Sequence, residues 1–188
     1  MKTKDYLIAG LGPLPVLLIP LIGNLLSPEN WKWTWSDFVV GWAILAGPLF
    51  FYRLLATRQR ASLPYRLGAA LAAMAAFLIT WISLAVQIIG DHNPGNRLYL
   101  LVILIGMVGV RVSRFDATVL AKFAFGLAAA VFLIPLVSFA LWPADFQPGF
   151  AKVLMLNLAF VGMFAGSGLL FRHAASRSDG GRRAPAAG

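Results

Sequence analysis

The stretch LGAALAAMAAFLITWISLAVQII, residues 67–89, decides the class of fold. It runs for 23 residues without a charged side chain. An α-helix needs about 20 predominantly apolar residues to cross the hydrocarbon core of a bilayer. The stretch therefore predicts a transmembrane helix.

The composition of the whole chain agrees with this interpretation. Of the 188 residues, 60% are apolar and 12% are charged, against roughly 45–50% and about 25% in an average soluble domain. This composition excludes a soluble enzyme, a disordered protein and a coiled coil. The net charge of +9 would indicate nucleic-acid binding in a soluble protein. Here the basic residues lie between apolar runs, so we predict no nucleic-acid partner.

Six apolar runs can be counted along the chain. The fourth is short and needs the flexible side chain of Arg111 to reach the interface. The predicted spans are residues 6–26, 38–55, 67–89, 98–110, 117–142 and 150–171. We expect an all-α, polytopic bundle of six transmembrane helices over residues 1–172. A disordered basic tail is expected over residues 173–188, which are rich in Ala, Ser, Gly and Arg.

The first span allows two interpretations. Lys2 and Lys4 before an apolar run resemble the start of a signal peptide, but residues 22–24 lack the small-x-small pattern of a cleavage site. An uncleaved helix is the expectation, kinked by Pro13, Pro15 and Pro20.

The basic residues predict the orientation, because cytoplasmic loops carry the excess of Lys and Arg. Three of the sixteen fall on one side of the predicted topology, namely Lys32, Arg97 and Lys152. The remaining thirteen fall on the other side, together with both termini. Both termini are therefore predicted to be cytoplasmic, where the arginines can contact anionic lipids. A loop with Trp31, Trp33 and Trp35 marks the opposite interface.

Small residues predict how the helices pack, because they let helix backbones approach closely within a membrane. The third span carries such residues at helical spacing, and the sixth carries a Gly-x-x-x-Gly pair. The predicted packing positions are Ala69, Ala72, Ala76, Thr80, Ser83, Gly162 and Gly166. Packing within the bundle is the expectation. Docking of a second copy or of a membrane-protein partner is the alternative.

Polar residues gather at one predicted depth, toward the outer leaflet. They are Asn24, Asp37, Gln87, Asp91, His92 and Asn157. In one interpretation they bind a cation or a polar headgroup. In the other they cap helices, form turns and hydrogen-bond between helices. We predict no cofactor and no metal site, because the sequence has no cysteine and the two histidines fall on opposite sides of the membrane.

Three segments together resemble a known group of proteins. Residues 30–38 resemble an Asn-Trp-Thr-x-x-Asp-Phe motif, and residues 81–90 resemble Trp-x-Asn-Leu-Ala-Val-Gly-Ile-Ile-Gly. Residues 93–96 match Asn-Pro-x-Asn. Ser83 and Gln87 replace the Asn and Gly of that group, and Lys32-Trp33 is inserted before Thr34. The group consists of small, uncharacterised bacterial multi-pass inner-membrane proteins. The resemblance implies a bacterial inner-membrane protein and implies no activity.

The expected function is that of a non-enzymatic structural or accessory membrane component, with no catalytic residue. The alternative is a protein that binds or transports a small molecule, ion or lipid through the outer polar residues. An enzyme acting on lipid within the membrane is the third interpretation.

Overall fold

The computed structural model describes residues 3–57, 62–91, 93–146 and 149–182. All regular secondary structure in these ranges is helical, so the predicted all-α class is confirmed. The chain forms two compact units, Met1–Gln59 and Arg60–Gly188, where the sequence predicted one domain over residues 1–172. Five described segments are long and apolar enough to cross a membrane: Thr3–Leu26, Trp35–Ala56, Leu63–Ala85, Ala117–Leu141 and Phe150–Arg177.

The first apolar run is two helices, α1 (Thr3–Leu11) and α2 (Leu14–Leu26). The sequence predicted one kinked helix. Pro13 and Pro15 each lack a backbone N–H, so the hydrogen-bond ladder cannot continue through them. Pro20 lies inside α2 and is tolerated there.

The third helix of this unit, α3 (Trp35–Ala56), provides a hydrogen-bond donor and an ion-pair partner for α1. The last four carbonyls of a helix have no partner within it. One of them, the carbonyl of Gly10, accepts a hydrogen bond of 2.8 Å from the indole nitrogen of Trp42 on α3. At the start of α1, Asp5 Oδ1 lies 3.9 Å from Arg53 Nε in the last turn of α3.

The C-terminal unit contains four long helices. They are α4 (Leu63–Ala85), α5 (Asn96–Val112), α6 (Ala117–Leu141) and α7 (Phe150–Arg182). Helix α7 packs against both α4 and α6, and α5 packs against α4 and α6. Helix α5 has 17 residues, about 26 Å at 1.5 Å per residue, against a hydrocarbon core of about 30 Å. Arg97 and Arg111 are exposed near its two ends, and their long side chains can reach the interfaces of a bilayer that the helix alone does not span.

Helix α4 ends at Ala85, before the predicted boundary at Ile89. Gln87 adopts a left-handed backbone conformation with φ of 50°, which an α-helix does not allow. Ile88 and Ile89 are buried after this bend. The apolar residues that suggested more helix therefore form a buried turn.

Helix α7 continues past Arg172, where the sequence placed the start of a disordered tail, and ends at Arg182. The Phe171 ring contacts the Tyr65 ring edge-on at 5.2 Å between centroids, and Ala174 is buried. Burial and the high helix propensity of alanine extend the helix. Residues 183–188 of the predicted tail lie outside the described residues.

The buried face of α4 is rotated relative to the predicted one. Ala69 and Ser83 are buried, whereas Ala72, Ala76 and Thr80 are only half-buried. The buried positions also include Tyr65, Gly68, Ala75 and Ile79. Four of these six buried residues are small, and Tyr65 and Ile79 add apolar bulk to the same face.

The glycine pair of α7 divides between two environments. A methyl group at Gly162 would meet nothing within 4 Å, while one at Gly166 would lie 3.0 Å from Leu71 Cδ2. The close crossing of α4 and α7 is at Gly68, whose carbonyl accepts a hydrogen bond of 2.8 Å from Ser167 Oγ.

Candidate functional site

The segment between α4 and α5, residues 86–95, is called the 86–95 turn, and one side chain organises it. Asn96 is the first residue of α5. Its Nδ2 lies 2.7 Å from the carbonyl of Gly90 and 3.1 Å from that of Asn93. Its Oδ1 accepts a hydrogen bond of 3.1 Å from the backbone N–H of Ile89. The single carboxamide therefore satisfies backbone groups on both arms of the turn, as buried backbone groups require.

A second asparagine joins the turn to the neighbouring helix. Asn93 is buried, and its Oδ1 accepts a hydrogen bond of 2.8 Å from the N–H of Gly95. Its Nδ2 donates to the carbonyl of Trp142, just after α6, at 3.4 Å. Gly95 lies so close to the Ser138 side chain of α6 that any side chain at position 95 would collide with Ser138 Oγ. The position accepts only glycine because of this close approach.

Two of the predicted binding residues belong to this turn. Gln87 Oε1 accepts a hydrogen bond of 3.3 Å from Asn96 Nδ2, so its side chain takes part in the network. Asp91 is exposed and forms no ion pair within the described ranges. His92 lies outside the described residues.

Asn157 does not join this network. It lies inside the C-terminal unit, where its Oδ1 accepts a hydrogen bond of 3.0 Å from the hydroxyl of Tyr99 on α5. Its Nδ2 donates to the carbonyl of Val153 at 2.8 Å. Both side chains are fully buried, so the pair is a polar link between α5 and α7.

The other two predicted residues belong to the N-terminal unit and stabilise its loop. Asn24 Nδ2 donates to the carbonyl of Trp33 at 2.7 Å, and the N–H of Trp33 donates to Asn24 Oδ1 at 3.1 Å. Asp37 Oδ2 accepts from the N–H of Thr34 at 2.7 Å and from its hydroxyl at 2.8 Å. The two bonds between Thr34 and Asp37 cap the start of α3.

Two buried hydroxyls in the C-terminal unit contrast with these satisfied groups. Ser83 Oγ on α4 and Ser138 Oγ on α6 have no hydrogen-bond partner among the described residues. Each is a polar group whose burial is costly unless a partner is found. Ser138 Oγ is the one beside Gly95.

The predicted set of polar residues is therefore divided among three local structures: the Asn24–Asp37 loop, the 86–95 turn and the Tyr99–Asn157 pair. Sequence reasoning missed Tyr99 as the partner of Asn157 and did not single out Asn96. Within the described ranges, no three His, Cys, Asp or Glu residues form a group that could hold a metal ion.

No protein-family model matches the chain, and no match is found among curated proteins or solved structures. Functional inference therefore starts from the residues described above.

Proposed function

We propose that the chain is a non-enzymatic, multi-pass membrane protein with a structural or accessory role. One observation carries the proposal. Four of the six polar residues that the sequence offered as ligands are hydrogen-bonded to their own chain: Asn24, Asp37, Gln87 and Asn157. Polar side chains that already have partners of this kind stabilise the fold, and a ligand would have to displace those partners to bind.

The location that we propose is a bacterial inner membrane, with both termini in the cytoplasm. The apolar helices support a membrane protein. The uneven distribution of Lys and Arg supports the orientation. The resemblance of residues 30–38, 81–90 and 93–96 supports the bacterial origin.

Native mass spectrometry of the protein, extracted gently from its own membrane, tests the accessory role. The expected result is a stoichiometric protein partner or a homo-oligomer. A monomer that carries a defined small molecule, lost on Gln87→Leu, would overturn the proposal. Asn30→Leu is the matched control, because it also replaces an amide with leucine, at an exposed position that is not among the predicted ligands.

The second candidate function is binding or transport of a small polar ligand, and the unpartnered hydroxyl of Ser138 favours it. A small polar ligand bound at Ser138 would give this buried hydroxyl a partner. Ser138→Ala should then abolish flux or binding without loss of folded protein, whereas an accessory protein should tolerate the change. Measuring uptake and folded yield together in the same membranes separates the two functions.

A further inference from the structure

One end of the C-terminal unit carries a concentration of positive charge, which we call the basic end. Its members are exposed arginines on α4, on α5, on α7 and in the turn between α5 and α6: Arg66, Arg111, Arg114, Arg172 and Arg177. The turn itself, Ser113–Asp116, is called the 113–116 turn.

Contacts of a single tyrosine hold these elements together. The hydroxyl of Tyr65, next to Arg66, donates a hydrogen bond of 3.0 Å to the carbonyl of Phe115 in the 113–116 turn. The Tyr65 ring also packs edge-on against Phe171, next to Arg172. The start of α4, the 113–116 turn and the later part of α7 therefore meet at one place.

The positive charge at this place is not paired with acidic side chains of the described residues. None of the five arginines forms an ion pair with a described residue. The carboxylate of Asp116 is the acidic group in the turn, and its Oδ1 accepts a hydrogen bond of 3.0 Å from the N–H of Val119 at the start of α6. The carboxylate thus stabilises the helix terminus.

The conformation of the 113–116 turn is fixed by further bonds. Arg114 and Phe115 have φ angles of 49° and 69°. These angles lie in the left-handed region, which residues other than Gly, Asn and Asp rarely adopt. Ser113 holds them there, because its Oγ donates to the carbonyl of Val110 at 2.9 Å and accepts from the N–H of Phe115 at 3.2 Å. The Arg114 side chain is exposed as a result.

We propose that the basic end binds the phosphate groups of anionic lipid headgroups, with Arg111 and Arg114 as the principal ligands. Guanidinium groups bind phosphate oxygens through paired hydrogen bonds. The last turn of α5 carries Arg111, and the fixed 113–116 turn presents Arg114 without a further ordering cost for its backbone. The inference rests on the proposed membrane placement and orientation, and it does not depend on the accessory role.

The test uses the full chain in phosphatidylcholine nanodiscs titrated with phosphatidylglycerol, with retained lipids counted by native mass spectrometry. The double variant Arg111→Gln/Arg114→Gln should bind phosphatidylglycerol about 25-fold more weakly, at about fivefold for each arginine removed. The control Arg97→Gln/Lys152→Gln removes the same charge from exposed positions at the starts of α5 and α7 and should change binding little. Equal losses in the two double variants, or no loss in the first, would overturn the proposal.

A second variant separates geometry from charge. Tyr65→Phe keeps every charge but removes the hydroxyl that binds the 113–116 turn, so it should also weaken phosphatidylglycerol binding. Unchanged binding would show that the held turn does not position Arg114 and would overturn that part of the inference. Displacement of phosphatidylglycerol by soluble polyglutamate, added at equal charge, would assign the basic end to an acidic protein instead. Because the isolated protein is used, a missing protein partner would not affect the result.

Discussion

The two turns that flank α5 share a left-handed backbone conformation, but their polar side chains differ in what they contact. Both contain a non-glycine residue in the left-handed region, Gln87 in the 86–95 turn and Arg114 in the 113–116 turn. In both, a nearby polar side chain binds the backbone of the turn, Asn96 in the first and Ser113 in the second. The Gln87 side chain hydrogen-bonds to Asn96, whereas the Arg114 side chain is exposed.

This difference separates residues that maintain the fold from residues that are available to a partner. In the 86–95 turn, polar side chains form hydrogen bonds within the chain, so their substitution should lower the stability of the fold. In the 113–116 turn, internal bonds fix the backbone and leave the charge accessible, so substitutions of the arginine should act mainly on binding. Each of the following substitutions tests one side of this comparison.

The largest effect is expected from Asn96→Ala. The change removes an acceptor for the N–H of Ile89 and the two N–H donors that are shared among the Gly90 and Asn93 carbonyls and Gln87 Oε1. The free energy of unfolding should therefore fall by about 3 kcal/mol, at about 1 kcal/mol for the acceptor and for each donor. Thermal unfolding of the purified protein in detergent measures it. Asn96→Asp keeps the acceptor for the Ile89 N–H, so its free energy of unfolding should fall by less. A loss for Asn96→Ala no larger than for Asp91→Asn would contradict the role given to Asn96.

Gly95→Ala should follow, with a loss of about 2 kcal/mol from overpacking against Ser138. The matched control is Gly162→Ala, where the added methyl group meets nothing within 4 Å. There, the better helix propensity of alanine should leave stability unchanged or raise it by up to about 1 kcal/mol. The two melting temperatures should therefore move in different directions, and parallel shifts would show that the Gly95 contact is not tight.

Ser113→Ala should cost about 2 kcal/mol, at about 1 kcal/mol per bond, because the 113–116 turn loses both hydrogen bonds of this hydroxyl and keeps its bond to Tyr65. Thr118→Ala, at an exposed position of α6 nearby, provides the control in the same melting assay. If both variants melt at the same temperature, Ser113 does not hold the turn.

The smallest effect is expected from Arg114→Gly, and it should be stabilising. Glycine removes the steric cost of the left-handed conformation, and its own entropic cost leaves a net gain of about 0.5 kcal/mol. Gln87→Gly should gain less, since it also loses the hydrogen bond from Asn96. Equal gains at the two positions would indicate that the Gln87 side chain contributes nothing to the 86–95 turn.

The helical class and most helix boundaries could be predicted from the sequence, because apolar length and charge placement act locally. The start of α6 at Ala117 and of α7 at Phe150 agree with the predicted spans. The end of α4 did not follow from the same rules. Ile88 and Ile89 are as apolar as a helix requires, and their place in a turn depends on Asn96, which follows the turn in the chain.

The polar residues show a similar division. Their chemistry could be recognised from the sequence. The sequence placed Asp37 at the start of a span from residue 38, whereas α3 begins at Trp35 and Asp37 binds back to Thr34 from the first turn. The partner of Asn157 could not be chosen among the polar groups of other helices, because the pairing with Tyr99 depends on how α5 and α7 pack. The exposed charge of Arg114 likewise depends on a turn conformation that sequence propensities disfavour.

The broken first span has a consequence for the biogenesis of the protein. Helix α1 is synthesised before α3, yet among the described residues the donor to the Gly10 carbonyl near its end is Trp42 of α3. In hydrocarbon, a carbonyl without a donor is costly. The two segments are therefore best inserted together as a hairpin, with the first held at the translocon until the second has emerged. Trp42→Phe would then lower the yield of inserted protein more than the stability of the protein that has already folded.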